Sequence, residues 1–194
     1  MFESLFEDLK YQYRNGQPII RLIFYNSIVF LTYYTAKLFF LLFKGFDLHW
    51  NEDTLIEWLS VSGNWKSDLL KPWSFFTYMF THVGLFHFVF NMLILYWFGE
   101  IVQDLLGKKR IYPLYILGGI SGAILYVATA QLFGNQSNIL IGASAANMAI
   151  LITTGMIAPE YEMRLLLFGN VKIKYIIALL IIFDFISIAS QINT

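Results

Sequence analysis

The chain has 194 residues, 58% of them hydrophobic and 13% charged, with zero net charge and no cysteine. A soluble domain averages roughly 25% charged residues, so the composition excludes an ordinary water-soluble fold, and the lack of cysteine excludes a disulfide framework or a thiolate metal site. Zero net charge gives no general pull toward nucleic acid.

In chain order, residues 1–18 read as a cytosolic lead-in. Residues 1–15 are mixed in charge and aromatic-rich, without the short apolar stretch and small-residue cleavage site of a removable signal peptide. Residues 19–43 then carry only Arg21 and Lys37 as charges. Residues 73–98 form a second apolar block, residues 111–133 and 139–158 carry no charge, and residues 174–189 carry only Asp184 after Lys174. A bilayer core needs about 20 mostly apolar residues per helix. The pattern predicts an all-α polytopic membrane protein, with five spans in one domain over residues 19–194.

Lys and Arg in short loops mark the cytoplasmic side. Lys10, Arg14 and Arg21 precede or open the first span, Lys108, Lys109 and Arg110 follow the second, and Arg164, Lys172 and Lys174 lie between the fourth and fifth. The 134–138 link has none. Loop 44–72 is acidic on balance, with Asp47, Glu52, Asp53, Glu57 and Asp68. This predicts a cytosolic N-terminus and an outer loop 44–72. Trp50, Trp58, Trp65 and Trp73 recur every seven or eight residues through it, which suits a partly helical segment in the outer headgroup zone. A plain amphipathic surface loop is the alternative.

Polar groups inside hydrocarbon are costly unless paired, so each is a functional candidate. Read as one helix, the second span puts His87 and Asn91 one turn apart on one face. His82 then points roughly 140° away. That spacing does not suit a two-histidine metal site, and no carboxylate in the outer half of the span completes a ligand set. His87 and Asn91 could donate toward a common point, as an oxyanion hole requires. Alternatively they satisfy each other or backbone carbonyls as interhelical glue. His82 reads as structural, bonding to the loop above.

Ser144 lies in Gly142-Ala143-Ser144-Ala145-Ala146. Its small neighbours permit either close packing of a helix or access to the hydroxyl, with the Ser144 N–H near a helix start. Both the second and fourth spans enter from outside, so His87, Asn91 and Ser144 share the outer half. Gly118-x-x-x-Gly122 in the third span is a helix-packing face. Asp184 receives no catalytic role.

These residues resemble a known family. His82-x4-His87-x3-Asn91-Met92 followed by Gly142-Ala143-Ser144-Ala145-Ala146 is similar to the rhomboid intramembrane serine proteases. Residues 72–82, Phe98-Gly99-Glu100, Leu106-Gly107 and the Gly-rich third span extend the resemblance to residues 73–190. It implies a rhomboid-like helical bundle. It also implies an intramembrane serine endopeptidase cleaving transmembrane-segment substrates in the plasma (inner) membrane, with a site opening to the outer face. Ser144 would be the nucleophile, and His87, Asn91 and the Ser144 N–H would stabilise the oxyanion. Neither a metal nor an organic cofactor is implied. The expected partners are the lipid bilayer and transmembrane substrates, with oligomeric state left open.

Two departures accompany the resemblance. The family's Gly after the nucleophile is Ala145 here, whose methyl is expected to tighten a helix contact. The family's general base is a histidine in an Ala-His-x-x-Gly setting on a sixth span. This chain has only His49, His82 and His87. The expectation is that the base lies beyond Thr194, that the 194-residue piece is inactive, and that the small-residue face around Ser144 lacks its partner helix. The alternative is a catalytically inactive rhomboid-like protein that binds membrane clients. A transporter is disfavoured, because no paired broken helices are evident.

Overall fold

A computed structural model describes residues 11, 13, 17–42, 52–133, 139–165 and 169–192. His49, Trp50, the 134–138 link and most of the 1–18 segment lie outside the described residues, as does the side chain of Asp184.

The first long helix, α1 (Pro18–Leu42), opens on a proline, whose fixed φ suits a helix start. Its buried residues Ile19, Leu22, Asn26, Phe30 and Tyr33 recur every three or four positions, making one inward stripe. The outward side chains Leu31, Leu38 and Leu41 are more than half exposed, as lipid-facing residues would be. Two short helices follow, α2 (Glu52–Leu59) and α3 (Trp65–Leu70). Asn64 caps the second, its Oδ1 accepting from Lys66 N at 3.1 Å. Buried Asp68 ties the turn together by accepting from Ser62 N and Oγ, both at 2.8 Å. Trp73 stacks on Trp58 at 5.3 Å and donates from Nε1 to Trp58 O. This stretch is therefore a folded unit rather than a plain linker.

The apolar block 73–98 is not one helix. It forms α4 (Ser74–Thr77), a 3-10 turn (Tyr78–Phe80), an extended stretch through residue 84, and then α5 (Leu85–Leu106). The chain turns extended at Thr81, and Gly84, whose φ of +105° is closed to most L-residues, redirects it into α5. Gly107, at φ +86°, ends α5. A basic turn (Lys108–Arg110) leads into α6 (Ile111–Phe133). Next come α7 (Ser144–Ile157), an antiparallel hairpin of β1 (Glu162–Leu165) and β2 (Gly169–Lys172), and α8 (Ile173–Ile192).

The five expected spans thus map onto α1, α5, α6, α7 and α8. Among the described residues, three helices are long and apolar enough to cross a membrane, and Ser144–Ile157 and Ile173–Phe183 are shorter apolar helices. At 1.5 Å per residue, α7 reaches only about 21 Å. Residues 139–143, expected to be part of that span, are instead a loop.

The core joins α1, the 78–80 turn and α6 through a buried polar chain. Asn26 Nδ2 donates to Tyr115 Oη at 3.1 Å, and Tyr115 Oη donates to Met79 O at 3.1 Å. At the opposite end of α7, Glu160 pairs with Lys172 at 2.6 Å and with Lys174. The two ammonium groups pull its carboxyl from 4.5 down to about 2. A depressed carboxyl contributes stability above its unfolded value and loses it as pH falls through the folded one. The hairpin amides should therefore lose exchange protection between pH 4.5 and 2. High salt should weaken the effect, because the pair is exposed. Exchange unchanged over that window would remove the ion pair as a fastener.

Candidate active site

The loop ahead of α7 is held at three points. Leu140 pairs with Val61 in an isolated antiparallel bridge, with N–H···O distances of 3.2 and 2.8 Å. Gly142 N donates to Tyr78 O at 2.9 Å. Ala143 N donates to His82 Nε2 at 3.2 Å. Because Nε2 accepts, the ring proton sits on Nδ1, which faces Phe80 O at 3.3 Å. His82 is thus a fully buried strut between the 78–80 turn and this loop. It is not on α5, and its ring lies 5.3 Å from that of His87. The expected 140° divergence does not exist, since Gly84 turns the chain before the helix begins.

Ser144 is the first residue of α7 and is exposed. Several hydroxyls within the helices bond back to the carbonyl four residues earlier, at Ser27, Thr35, Thr153 and Thr154. Ser144 has no such helical carbonyl, and Leu140 O is taken by Val61. Its N–H is among the four that every helix leaves without an intrahelical partner. The N–H groups of Gly142 and Ala143 are already engaged, so among the described residues Ser144 is the first of this turn to offer an uncommitted backbone donor.

His87 lies in the first turn of α5, half-buried, with its imidazole against Gly142. A Cβ at Gly142 would lie 2.5 Å from His87 Cε1 and 2.8 Å from Nε2. Asn91 follows one turn later and is buried, its Nδ2 donating to His87 O at 2.9 Å. The two alternatives read from sequence meet here: Asn91 spends one N–H on a backbone carbonyl and retains a second. Among the described residues no cluster of three or more His, Asp or Glu is placed to hold a metal ion.

One side of the small-residue stretch of α7 packs on α6, while Ser144 itself stays exposed. Ala145 and Ala149 seat directly over Gly122 and Gly118 of α6. Beside them, Tyr78 Oη donates to Gly119 O at 2.6 Å. The methyl that departs from the family pattern therefore fills the space of a missing glycine side chain on α6.

Asn147 was not legible as a site residue. It is buried, and its Nδ2 donates to both Asn91 O and Asn91 Oδ1 at 2.9 Å. The one sequence signal was an amide three residues after Ser144 in an apolar helix.

A family model described as "Rhomboid domain" matches residues 70–193. The chain is 36% identical over 81 residues to "RHOMBOID-like protein 1" of Arabidopsis thaliana, covering 42% of this chain and 20% of that protein. It is 42% identical over 60 residues to "Inactive rhomboid-related protein 2" of Caenorhabditis elegans, covering 31% and 17%. It is 29% identical over 115 residues to "Rhomboid protease GlpG" of Serratia proteamaculans (strain 568), covering 59% and 40%. The matches thus span less than half the length of each of these relatives. No solved structure matches at a significant level. With a matching model over more than half its length and a bundle of apolar helices, the chain is an integral membrane protein belonging to the rhomboid family.

Proposed function

We propose that the chain carries an intramembrane serine endopeptidase site for transmembrane-segment substrates. Ser144 is the nucleophile. His87, the second N–H of Asn91 and the Ser144 N–H take up the negative charge that develops on the scissile carbonyl oxygen. The observation that carries the reading is the contact of His87 with Gly142, two residues before an exposed serine at a helix start. A serine needs a base to become a strong nucleophile. His82 is spent on Ala143 N, and His87 is assigned to the oxyanion. The reading therefore needs a base other than these two histidines, placed against the exposed Ser144. The basic turns at Lys108–Arg110 and around Lys172 and Lys174 favour a cytosolic N-terminus and a site open to the outer face of the plasma (inner) membrane.

The test is cleavage of a transmembrane substrate in liposomes by the full-length gene product. Ser144→Ala should lower kcat by roughly a thousandfold or more. Cleavage unaffected by that substitution ends the protease reading. A second reading, a client-binding rhomboid that does not cut, is favoured by Ala145 where the family has Gly. It predicts that uncut client co-purifies equally with the unsubstituted protein and with Ser144→Ala.

A further inference from the structure

We propose that Asn147 is a positioning residue that fixes the orientation of the Asn91 amide, an inference resting on the protease reading above. Asn147 lies nearly one turn beyond Ser144 and is 2% exposed. Its Nδ2 faces two oxygens, the backbone O and the Oδ1 of Asn91, each at 2.9 Å. A backbone carbonyl only accepts, so this contact determines which edge of the Asn147 amide carries its hydrogens. Turned over, Asn147 would set its own Oδ1 against an acceptor.

The constraint passes to Asn91. With a donor fixed opposite, the facing edge of Asn91 must be Oδ1. Its Nδ2 then lies on the other edge, where His87 O takes one N–H at 2.9 Å. The second N–H is the group assigned to the oxyanion. Two carbonyls, Asn91 O and His87 O, thus bracket a pair of amides in which one arrangement alone sets a donor against every facing oxygen. The helix that opens on Ser144 also sets the donor that must meet the substrate beside it. Asn147 Oδ1 is buried without a hydrogen-bond partner among the described residues. A residue kept only to fill space would avoid that desolvation cost.

Asn147→Val is similar in size and cannot donate. In the full-length protein in liposomes it should lower kcat about 30-fold with KM little changed, a fraction of what losing an oxyanion donor costs. In an Asn91→Ala background it should cause no further loss, because its effect acts through Asn91. An equal loss in both backgrounds overturns the proposal and leaves Asn147 as packing. A second measurement needs no activity: hydrogen exchange of the Asn91 side-chain NH2, followed by 15N-asparagine NMR in micelles. Exchange should quicken about tenfold in Asn147→Val, as a side chain loses its anchor. Unchanged exchange overturns the pinning even where Ser144-dependent cleavage is seen. Absence of Ser144-dependent cleavage in the unsubstituted protein overturns the protease reading instead, and the exchange rate then decides the pinning by itself.

Discussion

If the proposed protease site operates, Gly142→Ala should abolish most cleavage while costing only moderate stability. Two effects act on the substitution. The backbone at residue 142 has φ +100°, and an L-residue at positive φ costs roughly 1–2 kcal/mol. The new methyl would also lie 2.5 Å from His87 Cε1, inside van der Waals contact. Something must move, and the hydrogen bonds decide what. Gly142 N is held by Tyr78 O, Ala143 N by His82, and Leu140 by Val61. The His87 ring, at the end of a side chain and only half-buried, is the cheaper group to displace. Rotation limits the steric part of the cost to about 1 kcal/mol, the low end for overpacking. The same rotation carries the imidazole away from the site, and loss of one oxyanion donor costs about 100- to 1000-fold in kcat. The discriminating measurement is the pair Gly142→Ala and Gly142→Ala/His87→Ala. Removing the ring should restore part of the lost thermal stability and none of the activity. If the single variant cleaves normally, His87 does not serve the reaction from this position.

The sequence exposed different parts of this site unequally. The apolar runs that became α1, α5 and α6 are long and nearly free of charge, so their existence follows from hydrophobic length alone. Ser144, His87 and Asn91 stood out because polar side chains in such runs require a reason. The break within residues 73–98 was missed because apolarity continues across it. The chain leaves the helix at Thr81 and re-enters one only after Gly84 at positive φ, and a glycine in an apolar run signals a turn only weakly. The helix start near Ser144 was legible, but the apolar run hid that residues 139–143 ahead of it are a loop. The roles of His82 and Asn147 depend on which backbone groups the fold brings opposite them, Ala143 N in one case and Asn91 O in the other. No periodicity in a single segment encodes those partners. The tight helix contact expected of Ala145 could not be assigned to a partner from sequence, and the helix that receives its methyl is α6, through Gly122.

That last contact carries the second large prediction. In a bilayer, lipid tails solvate apolar surface as well as protein does, so helices associate through close packing rather than hydrophobic exclusion. Gly118 and Gly122 let α6 approach α7 until the methyls of Ala149 and Ala145 touch its backbone. Gly122→Val would place three carbons where there is no room for one. The neighbour cannot swing aside, because it is a Cβ on a helix rather than the end of a long side chain. The helices must separate, at a cost of about 3 kcal/mol, the upper end for overpacking. Ser144 is next to Ala145, so the same separation shifts the proposed nucleophile, and a displacement of about 1 Å can cost roughly 100-fold in rate. Gly122→Val should therefore lose both thermal stability in detergent and cleavage. The double variant Gly122→Ala/Ala145→Gly moves one methyl from α7 to α6 and keeps the total volume. If the contact is a matter of space at this crossing, it should recover most of the stability that Gly122→Ala alone loses. It would also give Ser144 the glycine that follows the nucleophile in the family pattern. Equal instability of the single and double variants would mean that Gly122 is needed for its backbone and not for the room it leaves to Ala145.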